Sequence, residues 1–240
     1  FPGGAAPGQD GRPVVGYLWA RTAPCSNPTC RADIPLLRSL LICNKKNKRV
    51  ALTMQIEGKE VRFGIAKGNE IERTEGTKPQ QKGPAFCPFC SQPTPEDDLR
   101  RAGIEGKMGQ IMVAVIVGTP HGKDYRPVEA VDLKAFQQAM KLASGLESPA
   151  ERMEGGTKYM GPPLYGMKTW GSLFNPRQLL AMQTFVEELR NALKELEQQE
   201  PDVEYRQALA AYLGLWVSRI AQRSSNVGLW HTSRETLEHP

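Results

Sequence analysis

At 240 residues, with hydrophobic residues at 40% and charged residues at 24%, the chain has ordinary globular usage for one large or two small domains, and a wholly disordered chain is excluded. The formal charge of +5 is unevenly placed: residues 1–130 carry 19 Lys/Arg against 13 Asp/Glu, and residues 131–240 carry 12 against 13, so the first half is the better match for a polyanion. No apolar run approaches the ~18 residues of a membrane helix, and five cysteines are too few, and odd in number, for a secreted disulfide scaffold.

Residues 1–12 are rich in Gly, Pro and Ala and read as a flexible segment. With no initiator Met and no signal-peptide pattern, the chain reads as a piece of a longer, cytoplasmic protein. Val14–Ala20 is a strand that runs into a turn at Pro24, and Ile34–Ile42 reads as a short helix with Pro35 near its start. Val50–Ile56 and Lys59–Ile65 alternate around Glu57-Gly58 as a hairpin. The polar stretch 69–83 is a loop, and Ile111–Val117 is a buried strand closed by Gly118-Thr119-Pro120.

Helical periodicity follows. Asp132 is read as the cap of a helix to about Leu142, with Leu133, Phe136, Met140 and Ala143 on one side. Residues 144–163 are a Gly/Pro-rich crossing. Asn175-Pro176 then gives a cap with Pro at the first helical position, and Leu179, Met182, Val186, Leu189, Leu193 and Leu196 form one apolar stripe. Pro201 separates this helix from another whose stripe includes Tyr205, Leu209, Tyr212, Trp216 and Ile220. Both stripes are read as core packing in an antiparallel helical hairpin. The expected fold is therefore α+β, with a β-rich domain over 13–130, a helix and linker over 131–163, and a helical hairpin region over 164–240.

The sharpest chemical signal is cysteine spacing. Cys25 and Cys30 enclose four residues, Cys87 and Cys90 enclose two, and prolines 24, 28 and 88 shape the turns. Two such turns can bring four thiolates into a closed, structural zinc site, the sequence form of a zinc ribbon. Iron fits the same four ligands, and a disulfide within each pair would require an oxidising compartment. Cys43 reads as a small core residue. The cluster Lys45, Lys46, Lys48 and Arg49 reads as a solvated turn or, in its functional alternative, as a contact to phosphate backbone, with Arg100, Arg101 and Lys107 adding charge to the same half. Trp230-His231 and Arg234 show no catalytic geometry. No Gly-rich nucleotide loop, Asp-Pro-Pro-Tyr or Asn-Pro-Pro-Tyr tetrapeptide, H-E-x-x-H or G-x-S-x-G occurs, so a self-contained enzyme is not expected.

Several blocks carry a resemblance. They are Val14 to Thr22, Pro24-Cys25 with Cys30, Ile34 to Ser39, Cys87 to Cys90, Met108 to Gln110, Tyr165 to Met167, Trp170-Gly171, Leu173-Phe174, Pro176 to Ala181, and Trp230 through Glu235 to His239. Together they resemble the middle of large bacterial and archaeal adenine-specific DNA methylases that contain a zinc ribbon. The resemblance implies an insert lying between an S-adenosylmethionine-binding motif and a catalytic Asp-Pro-Pro-Tyr-type motif, where such enzymes carry target recognition. Neither motif is present here, so the cofactor S-adenosylmethionine would belong to the full-length enzyme alone. One departure is the four-residue first knuckle, since two is commoner. The implied partners are double-stranded DNA and the remainder of the methyltransferase, with no membrane. The alternative from another class is a zinc-ribbon interaction module of a modification or phage-defence complex.

Overall fold

The computed structural model describes residues 11–154 and 161–238, so the expected flexible segment lies almost wholly outside the described residues. The chain is α+β. A four-stranded antiparallel sheet has the order β2 (Asp33–Leu36), β1 (Val14–Pro24), β8 (Gly109–Thr119), β9 (Gly122–Arg126). A three-stranded meander, β3 (Leu41–Lys45), β4 (Lys48–Glu57) and β5 (Glu60–Lys67), packs against it. The turn between β4 and β5 is the expected one, with Glu57 opposite Glu60 and Gly58 at φ +63°, a conformation that costs a glycine nothing.

The apolar run in β8 explains the layering. Met112 to Val117 are all buried, because both faces of the strand are covered. Val113, Ala114 and Ile116 join Leu18, Ile42, Val50 and Leu52 in the core between the two sheets. Met112, Val115 and Val117 face the other way, towards Trp19 and Phe136, the latter carried by α2 (Ala130–Leu142).

Three expectations are corrected. Residues 34–42 are not helical: Ile34-Pro35 lie in β2 and Leu41-Ile42 in β3. The β-branched isoleucines gain more by pairing with the end of β1 and with β4 than an isolated helical turn would supply. Asp132 does not cap α2 from outside. It is the third helical residue, where Oδ2 accepts the Glu129 N–H at 2.9 Å while the carboxylate receives both terminal nitrogens of Arg126 at 2.6 and 2.9 Å. The long helices α3 (Pro176–Gln199) and α4 (Val203–Arg223) begin where expected, with Asn175 Oδ1 accepting the Gln178 N–H, yet neither contains a fully buried residue. Phe185 meets Trp216 edge-to-face at 6.1 Å, and Arg206 donates to the carbonyls of Glu197 and Glu200, so α4 returns along α3. Tyr205, Tyr212, Leu215 and Trp216 nonetheless remain more than half exposed, so the α4 stripe is not core.

A hairpin absent from the sequence reading, β10 (Leu229–His231) with β11 (Thr236–Glu238), closes the chain back onto the first half. Trp230 Nε1 donates to the Ile42 carbonyl at 2.7 Å, and the Asn44 N–H donates to the Thr232 carbonyl at 3.0 Å. Glu235 completes the closure. Its backbone is left-handed at φ +53°, and its buried carboxylate accepts from Lys45 Nζ, Lys48 Nζ at 2.7 Å and Tyr125 Oη at 2.8 Å. Lys123 Nζ holds the Glu235 carbonyl.

Burial pushes the Glu235 carboxyl up, but the hydrogen bonds from Lys45, Lys48 and Tyr125 outweigh it and hold the group at about 2. A value depressed below the ordinary 4.5 means that this closure contributes fully above that pH and is lost as pH falls towards 2. Asp124, also held at about 2 by Lys67, its own strand and Arg12 against the effect of burial, shares the window. Glu235→Gln is therefore expected to destabilise the chain by about 1–3 kcal/mol at neutral pH. It should also flatten, without abolishing, the loss of stability between pH 5 and 3, as read by urea melts.

Candidate metal centre

Each cysteine pair sits at the tip of a small antiparallel hairpin. Cys25 and Cys30 lie between β1 and β2, where Pro24 pairs with Asp33. Cys87 and Cys90 lie between β6 (Ala85–Phe86) and β7 (Pro93–Thr94). The two turns share one plan despite their different lengths. The first cysteine N–H donates to the residue two beyond the second cysteine, Cys25 to Ala32 at 2.9 Å and Cys87 to Gln92 at 3.0 Å. The residue just after the second cysteine is left-handed in both, Arg31 at φ +48° and Ser91 at φ +59°. The two extra residues of the first turn are absorbed by Asn27, whose Oδ1 accepts from the Thr29 N–H and hydroxyl. The four-residue spacing thus produces an equivalent knuckle, which settles the departure noted in the sequence.

All four Sγ atoms lie within 4.8 Å of one another. Cys25 to Cys90 is 3.7 Å and Cys30 to Cys87 is 3.8 Å. A tetrahedral ion with metal–sulfur bonds of ~2.3 Å requires sulfur–sulfur edges of ~3.8 Å. The cluster therefore fits a four-thiolate metal ion with no open ligand position, a structural rather than a catalytic arrangement.

The surroundings hold the thiols in place. Cys25 and Cys87 form a second small core with Ala23, Ile34, Ala85 and Leu99, the last being the fully buried residue of α1 (Glu96–Ile104). The Ser26 N–H donates to Thr94 Oγ1 at 3.1 Å and the Ser26 hydroxyl to Asp98 at 2.8 Å, so the first knuckle is tied to the second hairpin and to α1. Gly103 of α1 lies against the backbone of Tyr165, where a Cβ would come within 2.4 Å of a carbonyl oxygen. For the thiols alone, burial pushes Cys87 up to about 12, while the backbone N–H of Gln92 draws Cys90 down to about 7. Backbone N–H groups aimed at sulfur stabilise thiolate, as a metal ligand requires.

Cys43 stands apart in the main core, fully buried, with Sγ donating to the Lys48 carbonyl at 3.4 Å. The basic residues are separated by their partners. Lys45 and Lys48 are engaged by Glu235; Arg100 pairs with Glu96 at 2.9 Å, and Arg101 with Asp98 at 3.1 Å. Lys46, at the tip of the β3–β4 turn, and Arg49 are exposed and have no ion pair among the described residues. The residue that sequence reasoning missed is Glu235. A lone acid following Ser233-Arg234 gives no periodic or spacing signal of its partners. No family model, curated protein or solved structure matches the chain, so the family resemblance is carried by the sequence blocks alone.

Cys87→Ser is expected to abolish stoichiometric metal in elemental analysis of reduced protein and to loosen the β-rich half in hydrogen exchange. Metal-binding energy in such a site is folding energy. Cys43→Ser should leave the metal content unchanged.

Proposed function

We propose that the chain is a non-catalytic insert of an S-adenosylmethionine-dependent DNA adenine methyltransferase, built on a structural zinc ion held by Cys25, Cys30, Cys87 and Cys90. The observation that carries this reading is the pair of matched knuckles with tetrahedral sulfur spacing. It supports a closed zinc site in the same region as the blocks resembling that family. Zinc is taken over iron because the four cysteines join two hairpins in a closed site, a structural role that needs no redox chemistry. In this reading the chain neither binds S-adenosylmethionine nor transfers a methyl group by itself, and calorimetry with the cofactor should show no heat of binding.

Double-stranded DNA is the proposed partner, met through phosphate rather than base edges. Lys45 and Lys48 serve the fold, so the contact falls to Lys46 and Arg49, at and beside an exposed hairpin turn. Each phosphate neutralised contributes about −0.9 to the slope of log K against log salt. For these two residues the slope is about −2. The exposed face of α4 supports a second reading. Tyr205, Tyr212, Leu215 and Trp216 suit either the remainder of the methyltransferase polypeptide or, if the chain is an interaction module, a protein of a modification or defence complex.

Replacing both Lys46 and Arg49 by Ala should flatten the salt dependence of duplex binding by about 2 in slope while leaving the melting temperature unchanged. Replacing Lys45 and Lys48 should instead lower stability, because it strands the Glu235 carboxylate. Absence of duplex binding at low salt would remove the DNA reading and leave the interaction module.

A further inference from the structure

A cavity of about 1130 Å³ opens beside β1, bounded by the start of α3, the end of α4 and the β10–β11 hairpin. Its charge is one-sided. Arg21, Arg38, Arg177 and Arg223 reach its walls, whereas Glu238, already held by Arg234 at 2.8 Å, is the one carboxylate on them among the described residues.

Two of these arginines are partly withdrawn from water with no anion beside them among the described residues. Among the described residues the buried Arg21 Nε has no hydrogen-bond partner, and its terminal nitrogens reach only the thioether sulfurs of Met167 and Met108, both at 3.4 Å. A thioether is a weak acceptor and neutralises no charge. Arg177 lies over the Tyr17 ring at 4.5 Å, and burial pushes both guanidinium groups down with no carboxylate opposing it. By contrast, the buried Arg126 is matched to Asp132 through two hydrogen bonds. A desolvated guanidinium left without its anion is a cost the fold does not recover internally. Its planar fork of donors matches phosphate oxygens.

The spacing gives the size of the ligand. Tyr17, beneath Arg177, and Arg21 are on the same face of β1 four residues apart, about 13 Å along a strand at ~3.3 Å per residue. Trp19 lies between them on that face, and Arg177 is the second residue of α3, whose helix N-terminus adds a positive end. We propose that this cavity binds a phosphate-bearing ligand of nucleotide size, with Arg21 and Arg177 as its anion ligands and Tyr17 and Trp19 as the apolar wall. The site is separate from the β3–β4 turn, so its failure would leave duplex binding by Lys46 and Arg49 untouched, and the reverse.

The test is the melting temperature of the full chain at constant ionic strength. Adenosine monophosphate or pyrophosphate should raise it in a concentration-dependent way, whereas adenosine and chloride should not. Arg177→Gln and Arg21→Gln should each weaken the apparent affinity tenfold or more. In phosphate-free buffer, Arg21→Met should melt at or above the wild type, because it removes a half-buried cation that lacks a counter-charge among the described residues. If a short single-stranded oligonucleotide raises the melting temperature and the mononucleotide does not, with the same loss in both variants, the phosphate belongs to a nucleic-acid strand; the reverse pattern assigns a free nucleotide. No rise with any phosphate probe, or a rise unchanged in both Gln variants, overturns the proposal. So does Arg21→Met melting well below the wild type, which would make Arg21 a cation the fold satisfies by itself.

Discussion

Four sulfur atoms within 4.8 Å of one another cannot all ionise unless a cation lies among them, and this constraint organises the first half of the chain. The second core, with Ala23, Ile34, Ala85 and Leu99 at its centre, is too small to hold two short hairpins and α1 together by apolar burial alone. A metal ion held among the thiols would replace the missing apolar area by joining segments 57 residues apart. β2 and the β6–β7 hairpin then hold their places beside β1, and Leu99 brings α1 against the site.

Glu235 does for the main core what the thiols do for the second one. Three side-chain donors from β3, β4 and β9 converge on one carboxylate supplied from the far end of the chain. The backbone there adopts a conformation unfavourable for glutamate, which is tolerated because the side chain is held at both oxygens. The same geometry divides a row of basic residues into two roles. Lys45 and Lys48 point to the closure, while Lys46 between them and Arg49 beyond remain available to solvent.

What could be read in the sequence was what local chemistry controls. Proline-shaped cysteine turns, the Asn175-Pro176 helix start, the strand of β8 and the Gly58 turn each need only their neighbours, and each was legible. Residues 34–42 were not, because their pairing with β1 and β4 outweighs a weak helical pattern. The stripe of α4 was read as core because periodicity reports an apolar face without reporting what covers it. The roles of Glu235 and Arg21 were invisible for a related reason. The meaning of a single charged residue lies in partners more than a hundred positions away for Glu235, and in the lack of an anion for Arg21.

The central place of β1 leaves one flank of that strand uncovered. Only Arg21 to Pro24 pair with β2, so among the described residues the stretch from Val14 to Ala20 has a neighbour on its β8 side alone. An unpaired strand edge is a template on which another chain can extend the sheet. Here the ladder with β8 slips twice, between Val14 and Gly16 and between Leu18 and Trp19, and the side chain of Val15 stands out in solvent. Such irregularities twist an edge out of the flat register that a second strand needs. The flank is thus guarded by its own shape against growth into an intermolecular sheet.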